Sequence, residues 1–166
     1  MRAYSVYKRS PKVELDQTNT LKAIGMMQTF MNSHPNSERS VQADSIIAEC
    51  RAKLELKAYN AAELYYRVGQ FRAAAIAYDN LLTDYPESGS AEKYSADAVQ
   101  SYYKLATLSV PEKQIERYQK VINEYQDFVD RYPDSKLLKE ALVYKDLSQN
   151  NIKEINNEQI KTSAER

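Results

Sequence analysis

The 166-residue chain has 23 Lys or Arg against 23 Asp or Glu, so its formal net charge is zero and nothing draws it as a whole toward nucleic acid or an acidic surface. Three glycines and five prolines leave little room for β-turns, and Ala, Leu, Glu, Lys and Gln are abundant, so the composition predicts helix throughout a length that supports one domain with a real core. A single cysteine, Cys50, excludes an intramolecular disulfide and leaves the redox compartment open, and no apolar run is long enough to span a bilayer.

Residues 1–15 read as the remnant of a preceding repeat and its loop: Tyr4, Val6 and Tyr7 fit the last turns of a helix that Ser10-Pro11 breaks. No secretory apolar segment follows Met1, so taken literally the chain is cytoplasmic; the alternative is a piece of a longer protein whose targeting segment lies elsewhere. Asp16 or Thr18 can cap the next helix, which the apolar spacing of Leu21, Ile24, Met27 and Met31 carries to about His34, with Ala23 and Phe30 beside that stripe. Steps mostly of three or four residues between Val41, Ala43, Ile47, Cys50, Leu54, Ala58, Ala61, Tyr65 and Val68 then predict one long helix from about Glu38 to Val68.

The end of that helix and the following segment, Lys53 to Ser88, read as two helices folded back on each other. Ala58, Ala61, Ala62 and Tyr65, then Ala74 and Tyr78, then Pro86, follow the small-and-aromatic pattern of the tetratricopeptide repeat, with Ala58 where that pattern has tryptophan. Small Ala61, Ala62 and Ala74 would let two backbones approach, Tyr65 and Tyr78 would fill the gaps, and Gly69 would end the first helix at little steric cost. Further on, Ala91 to Leu108 reads as a tyrosine-rich helix, and Ser109-Val110-Pro111-Glu112 as a capping box opening a helix to Tyr132. A last helix holds Leu137, Leu138, Ala141, Leu142, Tyr144 and Leu147, and residues 151–166 form a polar tail, either a fraying helix or disordered.

One device occurs three times: His34-Pro35-Asn36-Ser37, Tyr85-Pro86-Glu87-Ser88 and Tyr132-Pro133-Asp134-Ser135. Proline stops one helix, and the serine caps the next. Ala23, Ala74 and Val121 each stand twelve residues before the proline, and Phe30, Leu81 and Phe128 five before it. The prolines lie 51 and 47 residues apart, more than the ~34 of a plain tetratricopeptide repeat. The prediction is an all-α, tetratricopeptide-like α-solenoid of about three helix pairs over residues 16–150.

Candidate chemistry is sparse. His34 takes the aromatic slot of its unit and reads as a packing residue, and Cys50 lies on the apolar periodicity as a buried thiol. One histidine and one cysteine make neither a zinc set of the usual spacing nor a Cys-His nucleophile, and the isolated glycines cradle no phosphate. The reading is therefore of a non-enzymatic protein with no cofactor or metal. Its surface signal is tyrosine with arginine nearby, the pair that dominates binding hot spots. Tyr65, Tyr66, Arg67 and Arg72, at the tip of the Lys53–Asp84 hairpin, are the candidate partner-binding residues, with Tyr102 and Arg117 as further candidates.

Longer runs carry a family likeness. L-D-Q-T-N-T-L-K-A-I (Leu15 to Ile24), H-P-N-S-E-R (His34 to Arg39), the run from Arg51 to Ala74, D-Y-P-E-S (Asp84 to Ser88) and K-Q-I-E-R-Y-Q (Lys113 to Gln119) resemble BamD, the tetratricopeptide lipoprotein of the β-barrel assembly machinery, in its Bacteroidetes-like form. The likeness covers about Ser10 to Leu147 and includes loop residues. It implies a periplasmic protein of five repeats, held at the outer membrane by a lipidated N-terminal cysteine. Its C-terminal repeats would dock on the barrel subunit BamA, and its N-terminal repeats would receive unfolded barrel proteins. Mid-helix Cys50 cannot be the lipid site, so the resemblance implies that the lipid anchor and first repeats are absent from this chain. A cytoplasmic tetratricopeptide adaptor for peptide segments or chaperone tails is the alternative that composition and spacing leave open.

Overall fold

Each X-Pro-x-Ser segment ends one helix and starts the next in the same way. His34, Tyr85 and Tyr132 leave helical geometry at φ/ψ of −138/61, −133/57 and −136/65°, because the proline that follows clashes with an α conformation before it. Their N–H groups still bond the carbonyls of Phe30, Leu81 and Phe128, each at 2.9 Å. The N–H groups of Ser37, Ser88 and Ser135 then bond the aromatic carbonyl, each at 3.1 Å. The serine hydroxyls accept from Arg39, Ser90 and Leu137 N–H, at 3.3, 3.0 and 3.3 Å. These serines therefore close the turn two residues ahead rather than cap the helix as expected: α5 begins at Ala91 behind Ser90, which makes no side-chain cap bond.

The computed structural model describes residues 2–164, with side chains described over 2–161, and among them the chain is all helix and turn. In order the helices are α1 (Arg2–Lys8), α2 (Thr18–Ser33), α3 (Arg39–Arg67), α4 (Phe71–Asp84), α5 (Ala91–Thr107), α6 (Pro111–Arg131) and α7 (Leu138–Ala164). The expected long helix is α3. The polar segment after Asn150 continues α7 as helix to Ala164, and the rest of the expected tail, 165–166, lies outside the described residues. The architecture is all-α and of the tetratricopeptide kind, with neighbouring helices packed in pairs.

The chain divides into two compact units, Met1–Asn60 and Ala61–Arg166. In the first, Val6, Ala23, Met27, Ala43, Ile46, Ile47 and Cys50 form the core. The buried stripe of α2 is Thr20, Ala23 and Met27, whereas Leu21, expected on that face, is 58% exposed. Thr20 sits inside because its hydroxyl has partners: it bonds Gln17 Oε1 and Ser10 Oγ, both at 2.6 Å. Buried Gln17 in turn donates its amide to the carbonyls of Lys12, Val13 and Leu15 at 2.7, 3.3 and 3.0 Å. From α3, Lys53 Nζ reaches Ser10 Oγ at 2.8 Å and Lys57 Nζ reaches the Leu15 carbonyl at 2.5 Å. The α1–α2 loop therefore has no free run of carbonyls and is tied to α3 by two lysines.

In the second unit α5 is the central helix, packed against α4, α6 and α7. Its core holds Val99, Ala106, Tyr118, Val121, Phe128 and Ala141, with Tyr103, Tyr125, Tyr132 and Tyr144 partly buried around it. On α4 the expected line of Ala74, Tyr78 and Leu81 is buried, joined by Ala75. Ser109 does not cap α6. Its hydroxyl donates back to the Leu105 carbonyl at 2.5 Å and Val110 takes the cap position, with Pro111 opening the helix. Every buried side-chain N or O among the described residues has a hydrogen-bond partner, so the buried serines and threonines fill core positions without an unmet donor.

Candidate functional site

The turn between α3 and α4 is built by Gly69, the one residue with positive φ among the described residues, at +80°. Gln70 N–H bonds the Tyr65 carbonyl at 2.8 Å and Gly69 N–H bonds the Tyr66 carbonyl at 3.1 Å, the paired bonds of a Schellman helix end. Tyr66 packs edge-on against Phe71 across the turn, ring centroids 5.2 Å apart. Burial raises the Tyr66 hydroxyl above its ordinary range, so this ring stays neutral and structural.

That packing rotates the last turns of α3 by one position from the expected face. Ala62 and Tyr66 turn inward, while Ala61 and Tyr65 are exposed, Tyr65 at 43%. A tyrosine predicted to fill the helix interface is thus on the surface. Among the described tyrosines only Tyr4 and Tyr65 are exposed, so most rings are used in packing and the free aromatic surface is smaller than their number implies. Near Tyr65 in sequence the exposed residues are Leu64, Arg67, Val68 and Arg72, with Ile76 a turn further along α4. Tyr65, Arg67 and Arg72 are thus all exposed on the residues flanking this turn, while Tyr66 packs on Phe71 across it.

Tyr102 and Arg117 have other duties. The Tyr102 hydroxyl donates to Asp79 Oδ2 at 2.5 Å, between α5 and α4, and its ring lies under Lys120 Nζ. Arg117 Nη1 bonds Ser109 Oγ and locks the α5–α6 turn. Both are half-buried structural residues and stand apart from the α3–α4 cluster in their contacts. Sequence reasoning missed the exposure of Leu64 and Ile76; their signal was an apolar residue off the buried helical period. It also missed a cavity of about 150 Å³ lined by Asp79, Ser95, Glu124, Asp127 and Arg131, among others, from α4, α5 and α6. Burial raises the Asp79 and Glu124 carboxyls against the opposing pull of Tyr102 and Lys120.

In the first unit a second concavity, about 370 Å³, is lined by Tyr4, Met27, Phe30 and Ile46, with Arg39 and Gln42. His34 stacks on Phe30 at 5.1 Å, as its packing role requires. Cys50 is 1% exposed and burial pushes its thiol up, which disfavours the reactive thiolate. Among the described residues no three His, Cys, Asp or Glu side chains are placed to hold a metal, and no helix is long and apolar enough to cross a membrane.

Neighbouring helices packed in pairs and joined by repeated Pro-x-Ser turns define a repeat protein of the tetratricopeptide class. The chain belongs to the YfiO family, outer membrane lipoproteins, which it matches over residues 1–117. That is the BamD-like family to which the sequence likeness pointed. No curated protein matches the chain.

Proposed function

We propose that this protein is a non-catalytic scaffold of outer-membrane β-barrel assembly at the periplasmic face of the outer membrane. It docks on a BamA-like barrel subunit through the α3–α4 turn. The observation that carries the reading is the cluster of exposed Leu64, Tyr65, Arg67, Val68 and Arg72 on a turn locked by Gly69 and the Tyr66–Phe71 contact, in a chain of this lipoprotein family. A rigid aromatic ring beside arginine binds with little ordering cost. The groove of Tyr4, Met27, Phe30 and Ile46 suits an extended apolar segment, such as that of an unfolded barrel protein. Membrane attachment in this reading is through a lipid on an N-terminal cysteine other than Cys50.

The test is co-purification with the periplasmic domains of the barrel subunit. Arg67→Glu with Arg72→Glu weakens that complex while the far-ultraviolet circular dichroism of the chain stays unchanged. Binding that survives the double substitution removes this surface from the assignment.

A further inference from the structure

We propose that the place where α4, α5 and α6 meet is a proton-linked brace: proton uptake by Asp79 and Glu124 draws α4 and α6 together, so that this layer tightens on acidification. Asp79 on α4 and Glu124 and Asp127 on α6 line one cavity. The cations that face them are Lys120 and Arg131, both from α6, and α5 contributes the Tyr102 hydroxyl but no cation. Three carboxylates thus share two cations. Lys120 is committed to Glu124 and also lies 5.2 Å over the Tyr102 ring. The Tyr102 hydroxyl donates its hydrogen bond to Asp79. The other hydroxyls at the cavity are turned away: Thr83 donates to the Asp79 backbone carbonyl at 3.0 Å and Ser95 to the Ala91 carbonyl at 3.1 Å. Negative charge is left across a half-buried gap between two helices, where a solvent proton is the nearest available counter-charge. The raised carboxyls fix the sign. The folded chain holds these protons more tightly than the unfolded chain, so the stability they contribute rises as pH falls through their folded values.

Urea unfolding of the full chain at pH 7 and pH 5, followed by circular dichroism, tests this beside carboxyl-carbon magnetic resonance of Asp79 and Glu124. On acidification the wild-type midpoint rises relative to that of Asp79→Asn/Glu124→Gln, which keeps the acceptor for Tyr102 but has no proton to take up at either position. Hydrogen exchange in α4 and α6, corrected for its intrinsic pH dependence, slows in the wild type and not in the variant. Should the double variant not fold, Glu124→Gln alone shows the same contrast with a smaller shift. Parallel pH slopes for wild type and variant, or Asp79 and Glu124 titrating in the ordinary carboxylate range, overturn the proposal.

Discussion

The Tyr102 hydroxyl, on α5, satisfies the half-buried carboxylate of Asp79, on α4, at 2.5 Å. Tyr102→Phe keeps the ring under Lys120 and removes only that donor. Left without it, the carboxylate costs about 1–3 kcal/mol. The loss is read from urea unfolding at pH 7, and a loss near zero would mean that water replaces the hydroxyl freely.

Phe128 is 1% exposed in the second core, whereas Leu21 is 58% exposed despite its place in the apolar spacing of α2. Phe128→Ala is expected to cost about 3–5 kcal/mol and Leu21→Ala less than about 0.5 kcal/mol. Thermal unfolding of the two variants checks the helix register directly. Comparable losses would place Leu21 inside.

Gly69 has φ of +80°, and a Cβ built there would meet no atom within 4 Å. Gly69→Ala therefore tests backbone strain alone, about 1–2 kcal/mol of destabilisation. Gly69→Asn should lose less, since Asn tolerates the left-handed region better. Differential scanning calorimetry on the pair separates this from a packing effect, which would make the larger Asn worse.

Gln17 gathers three loop carbonyls with one amide. Gln17→Ala releases them, and the segment from Ser10 to Asp16 should open before the rest of the first unit. Limited trypsin digestion reads this as faster cleavage after Lys12, with α2 and α3 still protected.

Tyr7 donates to Glu49 Oε2 at 2.7 Å, and that bond, followed by burial, raises its hydroxyl from 10.0 to about 12. The folded state holds this proton more tightly. Its contribution is whole below about pH 10 and is lost as pH rises toward about 12. Wild type should lose stability across that window more steeply than Tyr7→Phe, as followed by circular dichroism against pH.

Helix identity was legible because proline, serine and the three- and four-residue spacing act locally; α3 and the three Pro-x-Ser turns needed nothing more. The exposed sides were less legible. Thr20 reads as polar, yet Gln17 and Ser10 satisfy it inside, and that displaces Leu21 outward. Ala61-Ala62 and Tyr65-Tyr66 are each two like residues in sequence, and spacing alone does not say that Ala62 turns inward or that Tyr66 is the ring that packs on Phe71. Tyr102 failed as a surface residue for a similar reason: its partner Asp79 lies 23 positions away on another helix. Ser109 matched the capping-box pattern, but Arg117 and the Leu105 carbonyl compete for the same hydroxyl.

The three matching joints at Pro35, Pro86 and Pro133 carry the same turn bonds within their own few residues. Those bonds run between residues at most four positions apart. A segment cut from one serine to the next proline carries half of a matching joint at each end. Genes for such chains can gain or lose whole helix pairs by unequal recombination at these points without leaving an open helix end, and an engineer can lengthen or shorten the protein at the same places.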